Sequence, residues 1–141
     1  MLCSEIMKSA VECVSPTDTA EVAAKRMRDH NVGLLPVCTG ELKVIGTITD
    51  RDLATRLVAE SQPGSTPVED IMTRDVIACR STDPIEHAEE LMGLFRVGRI
   101  LCTDEDGTLE GLISLSDVAE YESSARVAKT LKDVTFRERH P

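Results

Sequence analysis

A chain of 141 residues is long enough for one compact domain or two small halves sharing a core. Its hydrophobic fraction of 41% rests on aliphatic residues and Met, because Trp is absent and only Phe95, Phe136 and Tyr121 are aromatic. A net charge of −9 and so few stacking rings exclude general nucleic-acid binding, which needs a basic face or aromatic platforms.

Residues 2–9 contain Ile6 and Met7 and predict a turn of helix with an apolar side. Residues 11–14 form a short β-type run ended by Ser15-Pro16. Asp18 is the expected N-cap of the next helix, with Glu21 completing a capping box. Ala20, Ala23, Ala24 and Met27 recur there at helical spacing, and the pattern runs out near Gly33. Residues 34–38 read as a buried strand, Thr39-Gly40-Glu41 as a turn, and residues 44–49 as the returning antiparallel strand. A helix from Asp50 would carry Leu53, Ala54, Leu57 and Val58 on one face. Residues 62–67, rich in Pro, Gly, Ser and Thr, form the one clear linker.

The second half repeats the plan. Ile71-Met72 is the entry turn, residues 76–79 the short strand, and Asp83-Pro84-Ile85-Glu86 a helix start with Pro at the first helical position. Leu91, Met92 and Phe95 line the expected buried face. Residues 100–103 and 109–114 make a hairpin around Asp104-Glu105-Asp106-Gly107, followed by a helix over residues 117–123 and another near 126–131. Residues 6–54 align with 71–119 at a constant offset, without a gap and with about fourteen identities, which marks an internal duplication. The expected fold is α/β: two β-α-β-β-α repeats, residues 1–64 and 65–125, then a C-terminal helix and polar tail over 126–141. Each repeat is too small to bury its sheet alone, so sheet-to-sheet packing with pseudo-two-fold symmetry is expected.

The doubled element with most chemical content is Gly46-Thr47-Ile48-Thr49-Asp50-Arg51-Asp52, matched by Gly111-Leu112-Ile113-Ser114-Leu115-Ser116-Asp117. Each is an apolar strand ending in a hydroxyl residue that runs into a helix, with an Asp three positions on. Together with Val11-x-x-Val14-Ser15-Pro16, Val32-Gly33-Leu34-Leu35-Pro36-Val37, Ser81-Thr82-Asp83-Pro84 and Val97-Gly98-Arg99-Ile100, these motifs resemble the CBS domain. The chain is similar to a stand-alone bacterial CBS pair, a Bateman module, of the hypoxic-response type. The resemblance implies a regulatory sensor and not an enzyme. It implies an adenosine-containing ligand (AMP, ADP, ATP or S-adenosylmethionine) in clefts between the repeats, a homodimer, and an effector protein that receives the signal.

Carried across residue by residue, the resemblance assigns Thr49 and Asp52 to one site and Ser114 and Asp117 to the other. The residue chemistry agrees: an ionised Asp is acceptor-only and suits the two adjacent hydroxyls of a ribose. The Thr or Ser hydroxyl and the free N–H groups of a helix start suit a phosphate, and Arg51 offers charge-assisted bonds to it. Val14, Leu35 and Pro36 would wall the adenine. The second copy has Leu101 and Ser116 where the first has Pro36 and Arg51, so the first site is expected to be the better one.

Simpler roles exist for the same residues. Thr49 and Ser114 suit helix caps, and Arg51 and Arg99 suit surface ion pairs with an acidic chain. The rival function is a ligand-free dimeric scaffold. His30, His87 and His140 are scattered, no metal site is expected, and the acidic hairpin turn lacks the later ligands of a calcium loop. No acid–base pair points to catalysis. Five cysteines lack a C-x-x-C pair and fit small packing residues in a reducing cytosol, with Cys13 and Cys38 a candidate redox pair. No apolar run reaches membrane-span length and no charged-then-apolar leader opens the chain, so a soluble cytoplasmic protein is expected.

Overall fold

The computed structural model describes residues 1–136; the last part of the expected polar tail, with His140, lies outside the described residues. Two compact bodies divide the chain: Val11–Val76, and Met1–Ala10 together with Ile77–Pro141. The repeats of the sequence and the bodies of the fold therefore have different boundaries. Each body is the main part of one repeat joined by the entry segment of the other.

In the first body, helix α2 (Ala20–His30) buries Ala20, Ala23 and Met27 against the hairpin of β1 (Leu34–Cys38) and β2 (Val44–Thr49). The strands pair antiparallel with Leu35 opposite Ile48, and a bulge falls between Val37 and Cys38. The expected strand at 11–14 is reduced to a single parallel bridge at Val14, since Pro16 removes the donor that would extend it. The α2 cap is Thr19, whose side chain accepts the Val22 N–H; Asp18 instead accepts the Ser15 N–H and closes the turn before it. Helix α3 opens at Asp50–Asp52 and continues as a π-helical segment, Leu53–Val58, closed by a bond from the Ala59 N–H to the Ala54 carbonyl. That wider winding breaks the expected apolar face: Leu57 is buried, whereas Val58 is 72% exposed.

In the second body, β3 (Ala78–Arg80) runs parallel to β4 (Arg99–Thr103), which pairs antiparallel with β5 (Leu109–Ser114). Helices α4 (Ile85–Phe95), α5 (Leu115–Tyr121) and α6 (Ser124–Val134) complete it with the short α1 (Cys3–Ile6). Pro84 takes the N-cap of α4 in an extended conformation, and the helix itself begins at Ile85. Phe95, expected inside, is half exposed at the helix end. Glu89 is instead buried on the inner face, where Arg126 of α6 holds it.

The entry segments are exchanged in register. Lys8 bridges Leu112 through N–H and carbonyl (2.9 and 3.0 Å), and Thr73 bridges Thr47 in the same way (2.8 and 2.9 Å). The glycine that opens each doubled element permits this. A Cβ on Gly46 would lie 2.7 Å from the Thr73 carbonyl oxygen, and one on Gly111 2.8 Å from that of Lys8.

Candidate functional site

Each doubled element ends in a strand-to-helix junction whose geometry follows from local sequence. Thr49 leaves β2 extended, its Oγ1 accepts the Asp52 N–H (3.0 Å), and Asp52 Oδ2 accepts the Thr49 N–H (3.0 Å). Ser114 and Asp117 repeat this: the Asp117 N–H donates to Ser114 Oγ at 3.3 Å, and Asp117 Oδ2 accepts from the Ser114 N–H at 2.9 Å. Both are reciprocal capping boxes with Asp at the third position. The simpler role of these residues as caps is thus realised in both copies.

The carboxylates do more than cap. Asp52 and Asp117 are 6% and 7% exposed, and each turns its other oxygen to a donor from the exchanged entry segment. Thr73 Oγ1 donates to Asp52 at 3.2–3.3 Å, with Arg56 Nε 3.7 Å away. In the second body Lys8 Nζ lies 3.8 Å from Asp117 Oδ1. Lys8 and Thr73 occupy the same position in the two repeats. Reading the motifs singly misses both, although the repeat alignment pairs them. Each carboxylate thus has one cation nearby, Arg56 from its own helix in the first body and Lys8 from the entry segment in the second, and the Thr73 hydroxyl adds a neutral donor to the first.

The remaining expected residues divide into two groups. Arg51 is exposed, its N–H donates to Asp50 Oδ1 (2.8 Å), and neither it nor the exposed Arg99 forms an ion pair among the described residues. Their expected surface pairing is not realised, which leaves both guanidinium groups available. Val14 and Leu35, by contrast, point into the core of the first body, and Pro36 is buried too. Val14 and Leu35 belong to the buried cluster that packs this hairpin against α2. The backbone there is also used, since the Pro36 carbonyl accepts the Val14 N–H at 3.0 Å.

All five cysteines are free thiols. Cys38 is buried and Cys13 half-buried beside it. Burial, then the charge and hydrogen bond of Cys13, push the Cys38 thiol up to about 12. Among the described residues, no group of three or more His, Cys, Asp or Glu is arranged to hold a metal ion, and no helix is long and apolar enough to cross a membrane.

Two bodies, each with an antiparallel hairpin feeding a capped helix and an entry segment laid across it, define a tandem fold of the α/β class. The chain belongs to the CBS domain family, which it matches over residues 3–59 and 68–124. It is 36% identical over 121 residues to the CBS domain-containing protein YhcV of Bacillus subtilis, covering 85% of this chain and 84% of that one. It is also 34% identical to the inosine-5'-monophosphate dehydrogenase of Korarchaeum cryptofilum, but spans only 22% of that enzyme.

Among solved structures, the Hypoxic Response Protein I with two coordinated zinc ions superposes with a TM-score of 0.79 at 25% identity, over 87% of this chain and all of that one. The CBS domain protein PAE2072 of Pyrobaculum aerophilum, complexed with AMP, gives 0.79 at 22% identity over 94% and 99%. The expected kinship with CBS pairs, including one of the hypoxic-response type, is borne out.

Proposed function

We propose that this chain is a regulatory module that binds an adenosine-containing ligand (AMP, ADP, ATP or S-adenosylmethionine) and signals through a change of conformation to a partner protein. The observation that carries the reading is the first junction: a nearly buried carboxylate, a half-buried hydroxyl and an exposed, unpaired guanidinium lie within four residues on one helix start. Asp52 takes the ribose hydroxyls by exchanging the Thr73 donor, while Thr49 and Arg51 take the phosphate. Ser114 and Asp117 form the second, less basic site. The AMP in the Pyrobaculum protein belongs to that protein and shows only that this fold accepts such a ligand.

A homodimer is part of the proposal. Leu94, Phe95, Leu131 and Phe136 are exposed on the second body, Leu94 at 72%, and such surface favours a second copy. Cys13 and Cys38 remain a proposed redox pair, tested by alkylation under oxidising conditions.

One observation favours a rival reading, a ligand-free dimeric scaffold: both capping boxes are internally satisfied, so neither Asp needs a ligand to complete its bonding. Thermal melts of the reduced protein with each of the four ligands separate the two. Ligand at 100 times its dissociation constant adds about 2.7 kcal/mol, a rise of several degrees. Flat melts with all four would support the scaffold.

A further inference from the structure

The core of the second body holds a group of thiols that the nucleotide reading does not use. Cys79 on β3 and Cys102 on β4 are direct partners in the parallel ladder, with sulfurs 3.7 Å apart. Cys3 of α1 completes the group, its sulfur 3.8 Å from that of Cys79. All three side chains are buried. In the first repeat the positions of Cys79 and Cys102 are Val14 and Val37, so packing alone does not call for sulfur there.

We propose that Cys3 and Cys79 form a thiol–disulfide modification site, oxidised by a hydroperoxide and reset by a dithiol. Cys3 sits on a four-residue helix held by a few backbone bonds, among them its own N–H to the Asp83 carbonyl (2.9 Å) and that of Ser4 to the Ser81 carbonyl (2.8 Å). Such a turn opens at far lower free energy than a core strand, and opening admits the oxidant. The Cys3 sulfur attacks the terminal peroxide oxygen, the O–O bond breaks, and Cys3 becomes a sulfenic acid, releasing water from hydrogen peroxide or the alcohol from an organic hydroperoxide. On reclosing it meets the Cys79 thiol; the S–S bond forms and a water leaves. Two thiols are oxidised by two electrons and one hydroperoxide is reduced.

Geometry selects the pair. Cys79 and Cys102 are held at the fixed spacing of neighbouring strands, whereas Cys3 moves with its own short helix and can close to a bond of about 2.05 Å. The thiol electrostatics agree with Cys3 as the attacking group. Hydrogen bonds from Cys102 and then Cys79 pull it down to about 4 against burial. Cys102 lowers the Cys79 thiol, but donation to Cys3 and burial carry it up to about 12. Oxidation would pin α1, and with it the segment that brings Lys8 to Asp117. The disulfide itself stands or falls independently of any nucleotide.

The test uses the full chain with Cys13→Ser, so that Cys38 lacks its neighbour. After treatment with hydrogen peroxide and alkylation in denaturant, peptide mapping is expected to find Cys3 joined to Cys79, with the melting point raised by several degrees and both changes reversed by dithiothreitol. Cys79→Val and Cys102→Val copy the first repeat and should fold; the crosslink is expected to vanish in the former and persist in the latter. A Cys79–Cys102 bond, alkylation of Cys3, Cys79 and Cys102 alike after oxidation, or stoichiometric zinc released from the untreated protein would each overturn the proposal.

Discussion

Replacing Asp52 by Asn and by Ala separates the capping role of this carboxylate from its proposed role toward ribose. Asparagine keeps one carbonyl oxygen, in the place of Oδ2, which accepts from both the Thr49 N–H and Thr73 Oγ1, but it loses the second acceptor and the charge that strengthens both bonds. The neighbouring Arg56 is about half exposed and contributes under ~1 kcal/mol. Asp52→Asn should therefore cost about 1 kcal/mol of stability, and Asp52→Ala, which strands two donors, about 2–3 kcal/mol. At roughly 3 °C per kcal/mol for a chain of this size, both variants stay folded at room temperature.

If the carboxylate also accepts the ribose hydroxyls, loss of charge-assisted bonds worth about 1.5–3 kcal/mol weakens binding about 10- to 100-fold. Isothermal titration of wild type and Asp52→Asn with the ligand identified by the melts, and with its 2'-deoxy analogue, completes a double-mutant cycle. The two losses should overlap. Additive losses, or an Asp52→Asn protein that binds as tightly as wild type, would refute the ribose assignment and leave Asp52 a cap.

Gly46→Ala forces a Cβ against the Thr73 carbonyl and Met72 Sδ, both under 3 Å, and should cost about 1–3 kcal/mol in urea melts. Gly33→Ala meets only the exposed tip of Asp50 and should stay within about 0.5 kcal/mol. Glu89 supplies a pH prediction. Burial, only partly offset by the Arg126 hydrogen bond, raises its carboxyl above the ordinary value of 4.5, so the folded state holds the proton more tightly than the unfolded chain. Its favourable contribution is complete below the unfolded value and is lost as pH rises through the raised folded one. Wild type should accordingly lose stability relative to Glu89→Gln as pH rises above the ordinary carboxylate range, as urea melts at successively higher pH would show. A gap that moves the other way would place the ionised pair, and not burial, in control. Arg126→Ala leaves Glu89 buried without its partner and should cost about 2 kcal/mol, below the usual range for a buried pair because Arg126 is itself nearly half exposed.

What the sequence determined by itself was local. Short apolar runs on either side of a polar turn placed both hairpins, and the Ser/Thr-x-x-Asp spacing placed both capped junctions, because a cap bonds only across three residues. The constant offset between halves established the duplication and, through it, the family. The missed features have long sequence separations or depend on how a helix winds. Thr73 reaches Asp52 and Lys8 reaches Asp117 only because the entry segments are exchanged between repeats, and no periodicity within one repeat encodes that. Glu89 shares a helix face with Ile85 and Met92, and the sequence does not show that Arg126 arrives from another helix to hold its charge. Cys3 looks like a stray thiol until α1 sets it against Cys79 and Cys102. Local pattern selects the elements, but burial and charge at a given residue depend on which distant segment packs over it, and that is decided by the tertiary structure.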